Sequence, residues 1–284
     1  MKNAFFLLTA LAALACNAPA GGDKAPQPAK AEKAETKAPE APAMPTPPAD
    51  AKVFFTWPDE GSKVPTTFDM AFGVDKLTVT PAGQGMGDGS KGHHHVIVDG
   101  KALDTGTVVP ANETNIHYGK GQTEAQLTLK PGKHTLTLQF ADAAHRVYGP
   151  ALSQTINIEV VELPAAPKVS FVEPADGAKV TSPFKVGFGL EGLTVRPAME
   201  DAKDKTSGHH HIVVDGQPVP LGQVVPTDDT HIHFGKGQTE AELTLPAGKH
   251  TLTLQLADGA HRSYGAALSA TITVEVEGAA APPE

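Results

Sequence analysis

One segment of the chain occurs twice in tandem, and this duplication limits the possible folds more than any other feature. Residues 53–160 align with residues 169–276 at a constant offset of 116, without insertion or deletion. The stretch Gly-His-His-His-Val-Ile-Val-Asp-Gly at 92–100 returns as Gly-His-His-His-Ile-Val-Val-Asp-Gly at 208–216. The sequence therefore predicts two copies of one domain, each of about 110 residues.

The apolar pattern within each copy predicts strands rather than helices. In the first copy, apolar residues alternate with polar or small ones at 68–72, 125–129, 136–140 and 156–160. A sustained 3.6-residue period is not seen in either copy. About seven short strands predict an all-β fold of two tandem immunoglobulin-like β-sandwich domains, and we expect residues 101–109 to form a less regular return strand.

The N-terminal residues differ in composition from the duplicated part. Residues 1–16 contain an early lysine, an apolar run and Cys16, a pattern similar to a bacterial lipoprotein signal peptide with Cys16 as the lipidated residue. Ala13 and Leu14 depart from the usual pattern, so ordinary secretion is the alternative. Residues 17–51 are mostly Ala, Pro, Lys and Glu, which predicts a disordered linker.

These features predict six segments and a location. The segments are a signal peptide (1–16), a disordered linker (17–51), a first β-sandwich repeat (52–161), a short linker (162–167), a second repeat (168–277) and a disordered tail (278–284). The expected location is the bacterial cell envelope, as an outer-membrane or periplasmic lipoprotein that contacts the membrane through its lipid anchor only.

Charge and cysteine content exclude some classes of partner and site. The formal net charge is −9, which disfavours nucleic acid because nucleic-acid binding needs a basic surface. The single cysteine, Cys16, excludes an intrachain disulfide and a cysteine-rich zinc site. No protein partner is indicated by the sequence.

All thirteen histidines lie inside the two copies, and the predicted strand order brings most of them to one pole of each domain. Alternate residues of a strand share a face, so His93 and His95 should point together and His94 away from them. His117 and His145 follow in loops that reach the same pole. The candidate metal ligands are His93, His95, His117 and His145 in the first copy, and His209, His211, His231, His233 and His261 in the second.

Imidazole nitrogens suit Zn(II) or Cu(II), and we expect one ion per repeat. The lack of cysteine in the domains and the few methionines disfavour a soft Cu(I) site. Two alternatives stay open: a hydrogen-bonded histidine network that joins the loops, and a surface that responds to pH or anions. Four further residues are candidates to hydrogen-bond the ligand histidines and orient them, namely Glu124, Arg146, Glu240 and Arg262.

Other motifs receive structural interpretations. His134 and His250 open a strand at the opposite pole, where such side chains often bond back to the corner backbone. His94 and His210 are predicted to pack in the core. The glycine-rich stretch 83–92 is followed by no predicted helix, so it indicates a mobile loop and not a phosphate site. The chain is not expected to be an enzyme, although a metal-dependent oxidoreductase is a third reading.

Several motifs together resemble the bacterial domain-of-unknown-function family numbered 4399. They are Gly-His-His-His-Val-Ile-Val-Asp-Gly, Ile-His-Tyr-Gly-Lys-Gly-Gln-Thr-Glu-Ala, Pro-Gly-Lys-His-Thr-Leu-Thr-Leu-Gln-Phe-Ala-Asp and His-Arg-Val-Tyr-Gly-Pro-Ala-Leu-Ser. The resemblance covers residues 93–155 and 209–271, and the second copy departs from it with Ala266 in place of Pro150. It implies a secreted or envelope bacterial domain and no particular activity. The expected function is metal binding by an envelope lipoprotein; the alternative is a non-metal adhesion or scaffold module.

Overall fold

The computed structural model describes residues 43–277, in which strands are the main regular elements. The first repeat contains β1 (Lys52–Trp57), β2 (Ser62–Pro65), β3 (Thr67–Asp75), β4 (Thr78–Val79), β5 (Lys91–Val98), β6 (Asn115–Tyr118), β7 (Glu124–Thr128), β8 (Gly132–Ala141) and β9 (Ser153–Val161). The second contains β10 (Lys168–Glu173), β11 (Ala178–Thr181), β12 (Phe184–Glu191), β13 (Thr194–Val195), β14 (Ser207–Val214), β15 (His231–His233), β16 (Glu240–Leu243), β17 (Gly248–Ala257) and β18 (Ser269–Glu277). A 3-10 helix precedes the last strand of each repeat, at Pro150–Leu152 and Ala266–Leu268.

Each repeat is a sandwich of two sheets. In the first repeat one sheet has the order β1-β3-β7, and the other has the order β2-β9-β8-β5-β4 with β6 also paired to β5. The second repeat reproduces both sheets as β10-β12-β16 and β11-β18-β17-β14-β13, with β15 paired to β14. Within each repeat the strand that follows the first one pairs in parallel with the last strand. The predicted all-β fold of two immunoglobulin-like sandwiches is confirmed.

The alternation of apolar residues places the core between the two sheets. Leu136, Leu138 and Phe140 on β8 are completely buried and pack in one cluster with Phe68 and Phe72 of the facing sheet. Side chains on alternate positions of these strands point to opposite faces, so the same strands present their other residues to the outer surface. The outer face of the larger sheet is where the histidines lie.

The predicted return strand over 101–109 is wrong, because this segment covers the outer face of the larger sheet instead of extending it. The side-chain amide of Gln139 bonds the backbone of Leu103 at both its nitrogen (2.9 Å) and its oxygen (2.8 Å). Val109 packs against Ala141 and Val147 in a small cluster. Gly106, with a φ of 84°, bends the segment in a way that a regular strand does not allow. β6 takes the place beside β5.

The C-terminal end of the segment predicted as a disordered linker contacts the first repeat. Met44 and Ala51 pack against the core of the first repeat, so this end of the 17–51 segment lies on the first sandwich. The signal peptide, Cys16, the linker up to residue 42 and the tail 278–284 lie outside the described residues. Within residues 43–277 there is no helix with the length and hydrophobicity needed to cross a membrane.

Candidate metal centre

The two outer histidines of the His-His-His motif point away from the core. β5 enters the sheet at Lys91, and its alternate residues His94 and Val96 face the sandwich interior. His93 and His95 therefore share the outer face, where they are 0% and 2% exposed. The prediction that the motif is split between two faces is confirmed.

Two histidines from distant parts of the chain join this pair. His117 lies opposite His95 in the register of β5 with β6, and the two rings stack with centroids 4.8 Å apart. His145 lies in the turn after β8, and its ring centroid is 4.9 Å from that of His93 and 4.8 Å from that of His117. The largest separation in the group is 6.1 Å, between His95 and His145. We call these four residues the first histidine cluster.

The ring nitrogens of this cluster converge. The Nε2 atoms of His93 and His95 are 3.1 Å apart. One nitrogen each from His93, His95 and His117 lies within 4.8 Å of the others. Nitrogens that bind one zinc ion lie about 2.0–2.1 Å from it, so neighbouring ligands about 3 Å apart fit a shared ion. These residues are able to hold a metal.

The second repeat builds the same arrangement from His209, His211, His233 and His261, the second histidine cluster. The Nε2 atoms of His209 and His211 are 3.0 Å apart, and those of His233 and His261 are 3.2 Å apart. Ring centroids in this cluster are separated by 4.8–6.1 Å, as in the first. The duplication has preserved a three-dimensional cluster and not only a motif.

His231 was predicted as a ligand, but the structure places its ring beside an aspartate. The register of β14 with β15 sets His233 opposite His211 and His231 opposite Val213, one step farther from the cluster. Nδ1 of His231 is 2.8 Å from Oδ1 of Asp228. The first repeat has Asn115 at this position. His231 is therefore a residue beside the second cluster rather than a member of it.

Burial keeps the inner histidines neutral. Loss of hydration, followed by the charges of neighbouring histidines, lowers the pKa of His93 to about 4 and that of His95 to about 3. The same causes lower the pKa of His209 to about 3 and that of His211 to about 2. A metal binds the neutral imidazole, so these rings are ready to act as ligands at neutral pH.

A hydrogen-bonded network accounts for only part of the first cluster. The Nδ1 atoms of His93 and His95 are buried and have no hydrogen-bond partner among residues 43–277. Buried polar atoms usually have a partner, and one that lacks it costs about 1–3 kcal/mol. The only hydrogen bond available to the His93 ring within this part of the chain is its Nε2 contact with His95. The network alternative thus leaves two of the four ring nitrogens of His93 and His95 without a partner within residues 43–277.

Each cluster is open to solvent on one side. His117 and His233 are exposed, and His145 and His261 are half-buried. The two inner histidines of each repeat are buried. An ion can therefore reach the cluster from solvent without separation of the strands.

The turn that carries His145 is held by an aspartate that sequence reasoning missed. Oδ1 of Asp142 accepts hydrogen bonds from the backbone of Ala144 (2.8 Å) and Arg146 (2.9 Å). Oδ2 accepts from the guanidinium of Arg146 at 2.9 and 2.7 Å. His145 has a φ of 65°, which such a tight turn requires. An aspartate bonded to the amide two residues later is a recognisable turn signal, so the sequence could have indicated it.

The glutamates predicted to support the ligands lie elsewhere. Glu124 is on β7 and Glu240 on β16, both in the three-stranded sheets rather than the sheets that carry the clusters. Glu240 forms an ion pair with Lys185. Arg146 does act close to the cluster, through Asp142. The error arose because closeness in sequence does not show which sheet a strand joins.

Gly119 leaves room for a ligand ring. A Cβ atom at this position would lie 2.1 Å from the His117 ring, and one at Gly235 would lie 2.2 Å from the His233 ring. Distances below 3.0 Å require the ring to move. These glycines therefore belong to the site although they offer no ligand atom.

His94 and His210 pack in the core as predicted. The His94 ring lies 5.2 Å from Phe72 and 5.3 Å from Phe140, measured between centroids. His210 is 5.2 Å from Phe188. Burial lowers the pKa of His94 to about 4.

His134 and His250 lie at the opposite end of the sheet and join a strand to its corner, as predicted. Nδ1 of His134 is 2.8 Å from Oδ2 of Asp99, and Nε2 is 2.9 Å from the carbonyl oxygen of Lys130. His250 makes the equivalent contacts with Asp215 and Pro246. This pair is structural.

We expect His134→Ala to lower the free energy of unfolding by about 1 kcal/mol, since two partly exposed hydrogen bonds are lost. For a unit of this size, a change of 1 kcal/mol corresponds to about 2–4 °C in Tm. Thermal unfolding checks the loss, and a metal titration of the same variant should show unchanged stoichiometry. A reduced number of bound ions would contradict the structural role.

A family model described as "Domain of unknown function (DUF4399)" matches residues 70–161 and 186–277. No curated protein shows significant similarity to the chain.

Solved structures with related shapes share little sequence with this chain. The fibronectin(III)-like modules of Clostridium thermocellum CbhA are 14% identical, with 80% of this chain and 95% of that chain covered and a TM-score of 0.29. The tandem Ig repeats of Dlar are 8% identical, with coverages of 80% and 98% and a TM-score of 0.26. Domains 5–6 of the S-layer protein SbsC are 14% identical, with coverages of 79% and 96% and a TM-score of 0.25. These likenesses are too weak to bear on function.

Proposed function

The chain belongs to the domain-of-unknown-function family DUF4399, with two tandem copies of the domain, and on that premise we propose that each copy binds one divalent transition-metal ion. The ion is Zn(II) or Cu(II), and its ligands are the four histidines of each cluster. The observation that carries the proposal is the convergence of imidazole rings from three separate parts of each repeat. Histidine is a frequent ligand for both metals.

The donor set favours binding over catalysis. Four protein ligands around one ion close its coordination shell, as in structural sites, whereas a catalytic zinc site keeps one position for water or substrate. Two ligands of each cluster lie on a buried strand and two lie at the surface. This arrangement suits reversible uptake of an ion from solvent, and it supports a role in metal binding or delivery rather than in oxidation.

Metal titration of the whole chain, purified without a histidine tag and stripped of metal, tests the proposal. We expect two equivalents of Zn(II) or Cu(II) to bind, and Tm to rise with metal concentration because the ion binds the folded state. A free metal concentration of about 100 times Kd should stabilise each site by about 2.7 kcal/mol. Calorimetry and thermal unfolding provide the two readouts.

Two variants test which histidines bind the metal. His117→Ala combined with His233→Ala removes one exposed ligand from each cluster with little effect on packing, and we expect both equivalents to be lost or greatly weakened. His231→Asn is the matched control, because it removes a nearby histidine and installs the residue that the first repeat has at that position. Failure of the unmodified chain to bind either metal would overturn the proposal.

The second candidate is a non-metal adhesion or scaffold module. Its support is an exposed valine beside each cluster: Val108 bridges to Arg146 and Val224 to Arg262, and both are more than half exposed. An apolar residue kept at the same exposed place in both repeats suits a contact surface. We further propose an envelope location with Cys16 as the lipid anchor, on the signal-like sequence of residues 1–16.

A further inference from the structure

The two repeats differ in sequence where they meet. Trp57 and Asp59 of the first repeat correspond to Glu173 and Ala175 of the second. Lys205 of the second repeat corresponds to Gly89 of the first. Trp57, Asp59 and Lys205 therefore each occur only in the repeat whose side of the contact they form.

Trp57 is inserted into the second repeat. It is buried and belongs to the same apolar cluster as Tyr264 and Leu268. Its ring meets that of Tyr264 edge-on, with centroids 5.2 Å apart. The ammonium of Lys205 lies 4.1 Å from the Trp57 ring centroid and the guanidinium of Arg262 lies 5.0 Å from it, so both cations are attracted by the ring.

Two carboxylates balance these two cations. Nζ of Lys205 is 2.5 Å from Oδ2 of Asp258 and 3.3 Å from Oδ2 of Asp59. The guanidinium of Arg262 is 2.7 Å from Oδ2 of Asp59. Lys205 and Asp258 are 2% and 0% exposed at their side chains, so the balance of charge matters here more than at a surface. Asp59 is the only one of the four from the first repeat.

Backbone hydrogen bonds fix the position of Asp59 relative to the second repeat. The amide of Lys63 donates to the carbonyl of Lys203 at 2.9 Å, and the amide of Lys205 donates to the carbonyl of Lys63 at 2.7 Å. These bonds extend the edge of β2 onto the segment before β14. The ion pair between Lys63 and Asp204 adds a contact at 3.7 Å.

The same network holds the turn that carries a histidine of the second cluster. Oδ1 of Asp258 accepts from the backbone of Ala260 and Arg262, each at 2.9 Å, and His261 lies between them. In the first repeat Arg146 bonds the equivalent aspartate directly. In the second repeat Nζ of Lys205 donates to Oδ2 of Asp258, and the guanidinium of Arg262 donates to Asp59 while its Nε stays 3.8 Å from Oδ2 of Asp258.

We propose that the first repeat positions the His261 turn through Asp59 and thereby sets the metal affinity of the second cluster. This inference rests on the proposed function. Without the Asp59 carboxylate, Lys205 and Arg262 compete for Asp258, and the turn loses its fixed partner. In the first cluster the equivalent pair, Asp142 and Arg146, lies within one repeat, so we expect Asp59 to have no effect there. By linkage, metal at the second cluster strengthens the docking of the repeats by the same factor.

The experiment isolates each cluster in the full chain and measures Cu(II) binding. His117→Ala leaves the second cluster as the site that binds, and His233→Ala leaves the first. We expect Asp59→Asn to weaken Cu(II) binding about tenfold in the His117→Ala background, which is about 1.4 kcal/mol, and to leave Kd within twofold in the His233→Ala background. Asp59→Glu should restore most of the affinity.

Controls separate positioning from general stability. Glu60→Gln removes the neighbouring carboxylate, which bonds Asn157 inside the first repeat, and should not change Cu(II) binding. Arg262→Gln removes the other partner of the ion pair, and its effect should not add to that of Asp59→Asn. The Cu(II) electron paramagnetic resonance spectrum of the second cluster should change, which a purely structural role would not cause.

The possible results separate the positioning role of Asp59 from the proposed metal binding. Equal weakening of both clusters, or unchanged affinity at the second cluster in both Asp59→Asn and Arg262→Gln, would overturn the positioning role while metal binding stands. Failure of the His117→Ala and His233→Ala parents to bind Cu(II), together with failure of the unmodified chain, would instead overturn the proposed function.

Discussion

Replacement of His93 and His95 together by alanine is expected to abolish metal binding in the first repeat, so that the chain binds one equivalent instead of two. These rings lie side by side on β5, with Nε2 atoms 3.1 Å apart, and they supply half of the four nitrogens. Loss of residues that only support a ligand commonly costs 10–100-fold in affinity, so loss of two ligands should exceed 100-fold. Titration calorimetry with Zn(II) or Cu(II) measures the result.

The second repeat serves as an internal control for this change. Its cluster lies on β14 and does not include the substituted residues, so its equivalent of metal should remain. His134→Ala provides an external control, because it removes a histidine from the far end of the same sheet. The substituted residues are buried, so the variant should also be checked for folding by circular dichroism, and His93→Gln with His95→Gln is the version that leaves less empty volume. Two bound equivalents in a folded variant would show that the first cluster is not the site.

Acid is expected to destabilise the metal-free protein in the range from about pH 6.5 downward. The folded-state pKa of His93 is about 4 and that of His95 about 3, both below the ordinary value of 6.5. Between these values the unfolded chain binds protons that the folded state does not, so stability rises with pH across this window and falls as pH falls. At pH 5.5 each such buried histidine lowers stability by roughly 1 kcal/mol relative to pH 7.

The total effect is large because both repeats contribute. The pKa of His94 is about 4, that of His209 about 3 and that of His211 about 2. Denaturant unfolding in the presence of a chelator, at pH 7 and at pH 5.5, should show a loss of several kcal/mol if both repeats unfold together. The midpoint should fall at pH 5.5 with little change in slope.

Two comparisons identify the titrating groups. The variant with His93→Gln and His95→Gln lacks two of the buried imidazoles, so its stability should depend less on pH than that of the unmodified chain. Saturation with metal should also reduce the dependence, since a bound ion keeps the ligands deprotonated. Equal stability at pH 7 and pH 5.5 in the metal-free chain would contradict the neutral, buried state of these histidines.

Much of the fold could be predicted because it depends on local patterns. Alternation at 136–140 determines which face of β8 is buried, and a strand has only two faces to choose between. The same rule separates His94 from His93 and His95 without knowledge of the partner strands. The predicted strand over residues 101–109 was wrong. Gly106 and the contacts with Gln139 direct this segment across the sheet.

The candidate site was predictable in part for the same reason. His145 could be placed near His93 from strand order, because antiparallel strands return their loops to the same end. His117 was expected in a loop at that end, but it lies on β6 and reaches the cluster through the pairing of β6 with β5. His231 could not be separated from His233 by this means, since both share a face of β15 and only the register with β14 decides which one reaches the cluster. Asp228 then contacts the ring of His231, which the register places outside the second histidine cluster.

The amino-acid sequence by itself determined that the chain contains two copies of an all-β domain and that two histidines of each triple motif share a face. The duplication and the two-residue alternation of apolar side chains are visible in the sequence itself, so no tertiary contact is needed to recognise them. Only the tertiary structure decided that four rings converge in each repeat, that Glu124 lies on the other sheet, and that Asp59 reaches the His261 turn. Those outcomes depend on register and on the docking of separate elements, which are set by the packing of residues far apart in sequence.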